Sequence, residues 1–179
     1  WQSTSWTEAA AKVASLAAAL KRLGLQPGDR VMLVSANRPE WCISDLAIMA
    51  AGCVTVPTYI TNGERDHQHI LDDSGARAVI VSSAKLARPL LPAVVRSSAC
   101  EHVIGMEPIR MGGQTGDASF HDWAALVASE TPDIAAAAAA ATFERCDLAC
   151  TIYTSGTGGA PRGVMQHHGA ILHNVEGCT

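Results

Sequence analysis

Apolar residues along the chain repeat in two alternating rhythms. Val13, Leu16, Leu20 and Leu23 fall on one face at helical spacing, with alanines between them, which predicts a helix over Thr7 to Leu23. Ser5 and Glu8 carry the S-x-x-E spacing of a capping box at its start, and Gly24 is placed to cap its end. After the turn Pro27-Gly28-Asp29, Val31 to Val34 is a short apolar run suited to a buried strand. A second helix follows Asn37, read as its N-cap, with Pro39 near the first position, and carries Trp41, Ile43, Leu46, Ile48 and Met49 towards Gly52. Val54 to Tyr59 is the next strand, in which Pro57 points to an irregular or edge position.

The alternation continues. Asn62 is placed to cap a third helix through Leu71 that Gly75 ends, and Ala78 to Val81 is a third strand. Ala84 to Arg96 reads as a helix interrupted by Pro89 and Pro92, and His102 to Gly105 as a fourth strand. Residues 107–116 are rich in Gly and polar groups and read as a surface loop. Asp122 to Ala128 reads as a short helix, and Thr131 to Ala141 as a helix or an alanine-rich linker. Strands alternating with helices predict an α/β layered fold, a largely parallel sheet with flanking helices.

Composition narrows the class. Of 179 residues, 48% are hydrophobic, enough for a substantial core, while only 17% are charged, which suggests that some of the surface meets further polypeptide. A formal charge of −4 and few aromatics argue against a nucleic-acid partner. Cys42, Cys53, Cys100, Cys146, Cys150 and Cys178 form no CxxC pair and read as reduced, small apolar residues, which fits a cytoplasmic location. No window approaches a transmembrane span, and no signal peptide is visible. The start at Trp1 and the stop at Thr179 both read as cut ends.

The chemistry lies beyond Leu148. The strand Leu148 to Tyr153 runs into Thr154-Ser155-Gly156-Thr157-Gly158-Gly159-Ala160-Pro161-Arg162-Gly163, ten residues with four glycines, three hydroxyls, one guanidinium and no acid. Glycines let several backbone N–H groups converge on one anion, hydroxyls add donors, and Arg162 adds a planar cationic fork that matches phosphate oxygens. Composition alone also permits a plain surface turn. Two familiar phosphate motifs fail: Val164 and Met165 stand where a Walker loop needs Lys and Ser or Thr, and Pro161 stands where a dinucleotide fingerprint needs its third glycine. Among the histidines, His67 and His69 read as ordinary surface residues facing different ways. The adjacent His167 and His168 point apart and read as polar or capping residues rather than a metal pair. Asp72 and Asp73 read as a helix end and Trp41 as core.

Tyr153 to Val164 closely resembles the Y-T-S-G-T-T-G-x-P-K-G-V signature of the AMP-binding, adenylate-forming superfamily, which comprises acyl-CoA synthetases, peptide-synthetase adenylation domains and luciferases. Met165 to His168 resembles the family's turn ending in His, and Ile171 to Asn174 the helix after it. Leu25 to Val31 resembles the family's G-x-x-P-G-D-R-V segment. Asn37 to Trp41, Ala51 to Tyr59 and Asp72 to Arg77 are similar to the long-chain acyl-CoA synthetase branch. Gly158 departs from the signature, standing where a second Thr is usual, and Arg162 replaces the commoner Lys.

The resemblance implies the N-terminal subdomain portion of the adenylate-forming fold, one partial AMP-binding domain over 1–179. Within it, 1–106 begin the α/β subdomain, 107–147 form a variable connection and 148–179 form the phosphate strand, loop and helix. It implies ATP-dependent activation of a carboxylic acid, a long-chain fatty acid above others, through an acyl-adenylate to acyl-CoA. Thr154, Ser155, Gly156, Thr157, Gly158, Gly159 and Arg162 would bind phosphate. ATP, the fatty acid and CoA are the small-molecule partners that it implies, with Mg2+ as cofactor, and peripheral membrane contact is left open. The family's Mg2+-binding Glu, ribose-binding Asp, adenine pocket and adenylation Lys lie downstream of this chain, so no catalytic residue is assigned here and the chain alone is expected to be inactive. A ligase for aryl or short-chain acids, a non-catalytic interaction module and a truncated product are the alternatives.

Overall fold

The structure, a computed structural model, describes residues 3–109, 116–154 and 160–178. Helix α1 (Trp6–Arg22) opens with the capping box: the Ser5 hydroxyl accepts from the Glu8 N–H at 3.2 Å, and the Glu8 carboxylate accepts from the Ser5 N–H at 2.8 Å. Strand β1 (Arg30–Val34), helix α2 (Pro39–Ala50), strand β2 (Val54–Pro57), helix α3 (Glu64–Ser74) and strand β3 (Ala78–Val81) follow in strict alternation. Gly75 ends α3 at φ 58°, where a residue with a side chain would be strained. Helix α4 (Ala84–Arg96) and strand β4 (His102–Gly105) lead to β5 (Ser119–Asp122), α5 (Trp123–Ala128) and α6 (Ile134–Ala140). The chain then forms β6 (Leu148–Thr154), β7 (Arg162–His167) and α7 (His168–Gly177).

The strands make one sheet in the order β5-β4-β3-β1-β2-β6-β7. Every neighbouring pair is parallel except β6 with β7. Both faces are covered, so the inner strands are apolar throughout and the side chains sort by alternation. Val31, Leu33, Ala78, Ile80 and Ile104 pack with α1, α2 and α5, while Met32, Val34, Val56, Val79, Val81 and Val103 pack with α3 and α4. Because β1 to β4 and β6 run the same way, Ser35, Thr58, Ser82 and Thr154 all emerge at one rim of the sheet, where ligands bind in open α/β folds.

Several local expectations are corrected. The N-cap of α2 is Arg38, not Asn37, and no side chain caps it. Gly63 rather than Asn62 precedes α3, its N–H donating to the Asp66 carboxylate at 2.9 Å. Pro89 and Pro92 do not interrupt α4; the burial of Ala87, Leu90, Ala93 and Val94 on the sheet holds the helix through both. Strand β2 is interior, not an edge. Thr58 N–H donates to Leu33 O and Val54 N–H to Asp29 O, so the missing N–H of Pro57 faces β6, which pairs with β2 only at Thr55 and Cys150. Strand β5, expected as no element, lies parallel to β4 at the sheet edge. Arg162 and Gly163, expected within the loop, and Met165 to His167, expected within a turn, belong to the strand β7.

Candidate functional site

The signature segment is a β-hairpin at the end of the sheet. Its first stem is β6 and its second β7, paired antiparallel with Thr154 opposite Arg162, Tyr153 opposite Gly163 and Ile152 opposite Val164. Thr154 and Arg162, the two predicted phosphate ligands within the described residues, are therefore cross-strand neighbours at the mouth of the loop, and both are exposed. Ser155, Gly156, Thr157, Gly158 and Gly159 lie outside the described residues.

The state of the arginines distinguishes Arg162 from Arg38, Arg77 and Arg30. Arg38, at the same rim, donates to Glu40 at 2.8 Å, Glu107 at 3.0 Å and the Ser82 carbonyl at 3.3 Å. Arg77, at the opposite rim, is held by Asp29 at 2.6 Å and Glu101 at 2.7 Å, and Arg30 donates to the Ser74, Gly28 and Gly75 carbonyls. These guanidiniums are already used within the fold. Arg162 has no carboxylate partner among the described residues, which leaves its fork available to an anion.

Beneath the mouth, the stems are tied to α3. Tyr153 is buried on the α3 side, and its hydroxyl donates to Asp73 at 2.5 Å. Burial, with the Asp73 carboxylate adding to it, raises the Tyr153 phenol above its ordinary pKa, so the hydroxyl stays a donor at neutral pH. The Nε2 of His69 lies 2.7 Å from the Pro161 carbonyl, and the His69 and Tyr153 rings meet edge to face with centroids 6.2 Å apart.

Along the rim, a concavity of about 370 Å3 lies between the ends of β1 and β2 and the β6 stem, lined by Ser35, Asn37, Trp41, Thr58, Ile60 and Ile152 among others. Trp41 is half-buried: it packs on the core, as expected, and also faces this space. The Thr58 hydroxyl is buried with no hydrogen-bond partner among the described residues. The described residues contain no group of three His, Cys, Asp or Glu able to hold a metal, and no helix long and apolar enough to cross a membrane.

The histidines divide. His167 caps α7, its Nδ1 accepting from the Ala170 N–H at 3.0 Å, as its capping reading expected. His168 is buried and stacks on Phe143 with centroids 3.8 Å apart. The surface reading of His67 and His69 is wrong. His67 is 1% exposed, and His69 is bound to the loop stem. Sequence reasoning thus missed the α3 contacts to the hairpin. The one available signal was the four-residue spacing of His69 and Asp73, which puts both on one helix face.

Comparison with known proteins covers the whole chain. A family model described as AMP-binding enzyme matches residues 1–179. The long-chain-fatty-acid–CoA ligase FadD15 of Mycobacterium tuberculosis is 33% identical over 180 residues, covering 99% of this chain and 28% of that protein. The benzoate–CoA ligase of Thauera aromatica is 30% identical over 177 residues, covering 97% of this chain and 31% of that protein. Among solved structures, a benzoate CoA ligase from Burkholderia xenovorans LB400 superposes with a TM-score of 0.78 at 26% identity, over 97% of this chain and 31% of that one. The chain thus spans less than a third of the length of these relatives.

Proposed function

Because the chain belongs to the AMP-binding enzyme family, we propose that the protein of which it is part activates a carboxylic acid with ATP and passes the acyl group to CoA. The acid's carboxylate oxygen attacks the α-phosphorus of ATP and the bond to the bridging oxygen breaks, giving acyl-adenylate and pyrophosphate. The CoA thiolate then attacks the acyl carbon and AMP leaves. The observation that carries this reading is the hairpin that sets Thr154 opposite Arg162 at the mouth of the glycine-rich loop.

Thr154, Ser155, Thr157 and Arg162 bind the β- and γ-phosphates with side chains, and Gly156, Gly158 and Gly159 with backbone N–H groups. Charge develops on the pyrophosphate as it leaves, and donors already fixed around it lower the barrier without reorganising. When bound, Mg2+ would neutralise phosphate charge. By the resemblance, its ligands are assigned to the remainder of the protein. The adenine, ribose and adenylation residues are assigned there too, and the chain alone is inactive.

For the acid, a long-chain fatty acid is the first reading, supported by the 33% identity to a long-chain-fatty-acid–CoA ligase. An aryl acid is the second, supported by the benzoate–CoA ligase at 30% identity. ATP–pyrophosphate exchange by the full-length protein across acetate to palmitate, with benzoate, and with this chain alone alongside, tests the adenylation step and the choice of acid. Exchange that requires long acids, with the isolated chain silent, is the expected outcome. Exchange with benzoate alone would replace the first reading by the second, and no exchange with any acid would overturn the proposed activity.

A further inference from the structure

We propose that His69 and Asp73 are positioning residues that clamp the two stems of the glycine-rich loop to α3 and set the loop for phosphate; the inference rests on the phosphate-binding reading above. Each residue holds a different stem. Asp73 accepts from the hydroxyl of Tyr153, the residue immediately before Thr154, at 2.5 Å. His69 reaches the carbonyl of Pro161, the residue immediately before Arg162, at 2.7 Å. A carbonyl only accepts, so Nε2 of His69 carries the proton and donates. The two anchors stand four residues apart and therefore project from one face of α3.

The rest of the sheet gives the second stem little support. Among the described residues β7 is bonded to β6 alone, and Arg162, Gly163, Val164 and Met165 are all exposed. Glycines at 156, 158 and 159 make the connection between the stems entropically costly to order. Fixing both stem ends before ATP arrives removes part of that cost from binding. Gly163 completes the device by leaving room for Tyr153: a Cβ there would stand 3.1 Å from Cζ and 3.3 Å from the hydroxyl oxygen of the ring. The clamp acts on the loop through its stems and touches no reacting atom.

The test uses the full-length protein with His69→Ala, His69→Gln, Asp73→Ala and Asp73→Asn, read by pyrophosphate exchange. The expected result for each alanine variant is a KM for ATP raised roughly 5- to 20-fold, with KM for the acid and kcat within about twofold of wild type. His69→Gln keeps a donor at the Nε2 position and Asp73→Asn keeps an acceptor, so both are expected to recover most of the loss. Hydrogen–deuterium exchange of the nucleotide-free protein is expected to show faster exchange at amides 153, 154, 162 and 163 in the alanine variants. An unchanged KM for ATP in both alanine variants overturns the inference, as does a loss shared equally by ATP and acid. If the wild type exchanges pyrophosphate with no acid, the proposed reaction falls instead. The clamp is then decided by the amides, and unaltered exchange rates there overturn it.

Discussion

The ring of Tyr153 occupies the space where Gly163 would otherwise carry a side chain. Built at Gly163, a Cβ would lie 2.7 Å from the Thr151 methyl carbon and 3.1 Å from Tyr153 Cζ, closer than packed atoms stand. The glycine in the P-R-G-V part of the signature is therefore a packing requirement rather than a flexible joint. Gly163→Ala is expected to destabilise the protein by about 1–3 kcal/mol, the usual cost of forcing extra volume into a filled site. Urea denaturation followed by circular dichroism measures it, and an unchanged midpoint would contradict the packing account.

Arg162 is expected to act through its charge and fork. Arg162→Ala removes a charge-assisted hydrogen bond worth about 1.5–3 kcal/mol, a fall in kcat/KM for ATP of roughly 10- to 150-fold. Arg162→Lys is expected to restore much of it. Arg162→Ala combined with Thr157→Ala is expected to lower pyrophosphate exchange further. Untouched exchange in the double variant would remove the loop from the reaction.

Gly158 offers a gain-of-function test. Gly158→Thr returns the hydroxyl usual in the signature and one neutral hydrogen bond, worth about 0.5–1.5 kcal/mol. Tighter ATP binding by roughly 2- to 12-fold is expected, measured as KM in the exchange assay. No change would show that the position does not face phosphate in this protein.

His67 makes stability depend on pH. Burial lowers its pKa below 6.5, with Asp66 opposing the shift in part, and its Nδ1 is buried without a partner among the described residues. The native state therefore favours the neutral ring. Its contribution is complete above the unfolded value near 6.5 and is lost as pH falls through the lower folded value, because the unfolded chain takes up the proton first. Burial lowers His121 and His168 in the same sense. His67→Leu is thus expected to remove only its share of the fall in urea midpoint between pH 7.5 and 5. An undiminished fall would show that folded and unfolded chains bind the proton at His67 alike.

The cysteines divide by burial. Burial pushes the Cys53 and Cys100 thiols up to about 11 and raises Cys150 as well, while Cys42, Cys146 and Cys178 are exposed. Brief iodoacetamide treatment at pH 8, followed by peptide mapping, is expected to label the exposed three and spare the buried three until denaturant is added. Early labelling of Cys53 would contradict the packing of α2 on the sheet.

What the sequence disclosed follows from how each element is covered. Interior strands such as Ala78–Val81 and His102–Gly105 are buried on both faces, so they stand out as short apolar runs, and their limits were readable to the residue. The strands β5, half of it exposed, and β7, mostly exposed, carry no such run and were missed. The loop stood out as a candidate because its polar groups and glycines are consecutive in the sequence. Its attachment to α3 was not, because Tyr153 and Asp73 meet across 80 residues of chain and neither residue type announces a partner. His67 and His69 were misread for the same reason: histidine is often superficial by composition, and only tertiary contact places these two.

The join of β2 to β6 bears on how the protein is made. Thr55 and Cys150 pair in the sheet, yet β3, β4 and β5 lie between them in sequence and are laid down on the other side of β1. A ribosome adding ~5–20 residues per second leaves the outer side of β2 uncovered for on the order of ten seconds before its partner emerges. During that interval a nascent chain carries an open strand in the middle of its future sheet, exposed to whatever strand reaches it first. The glycine-rich hairpin that follows joins this sheet only after β6 has found β2, so the proposed phosphate loop is a late product of folding rather than its seed.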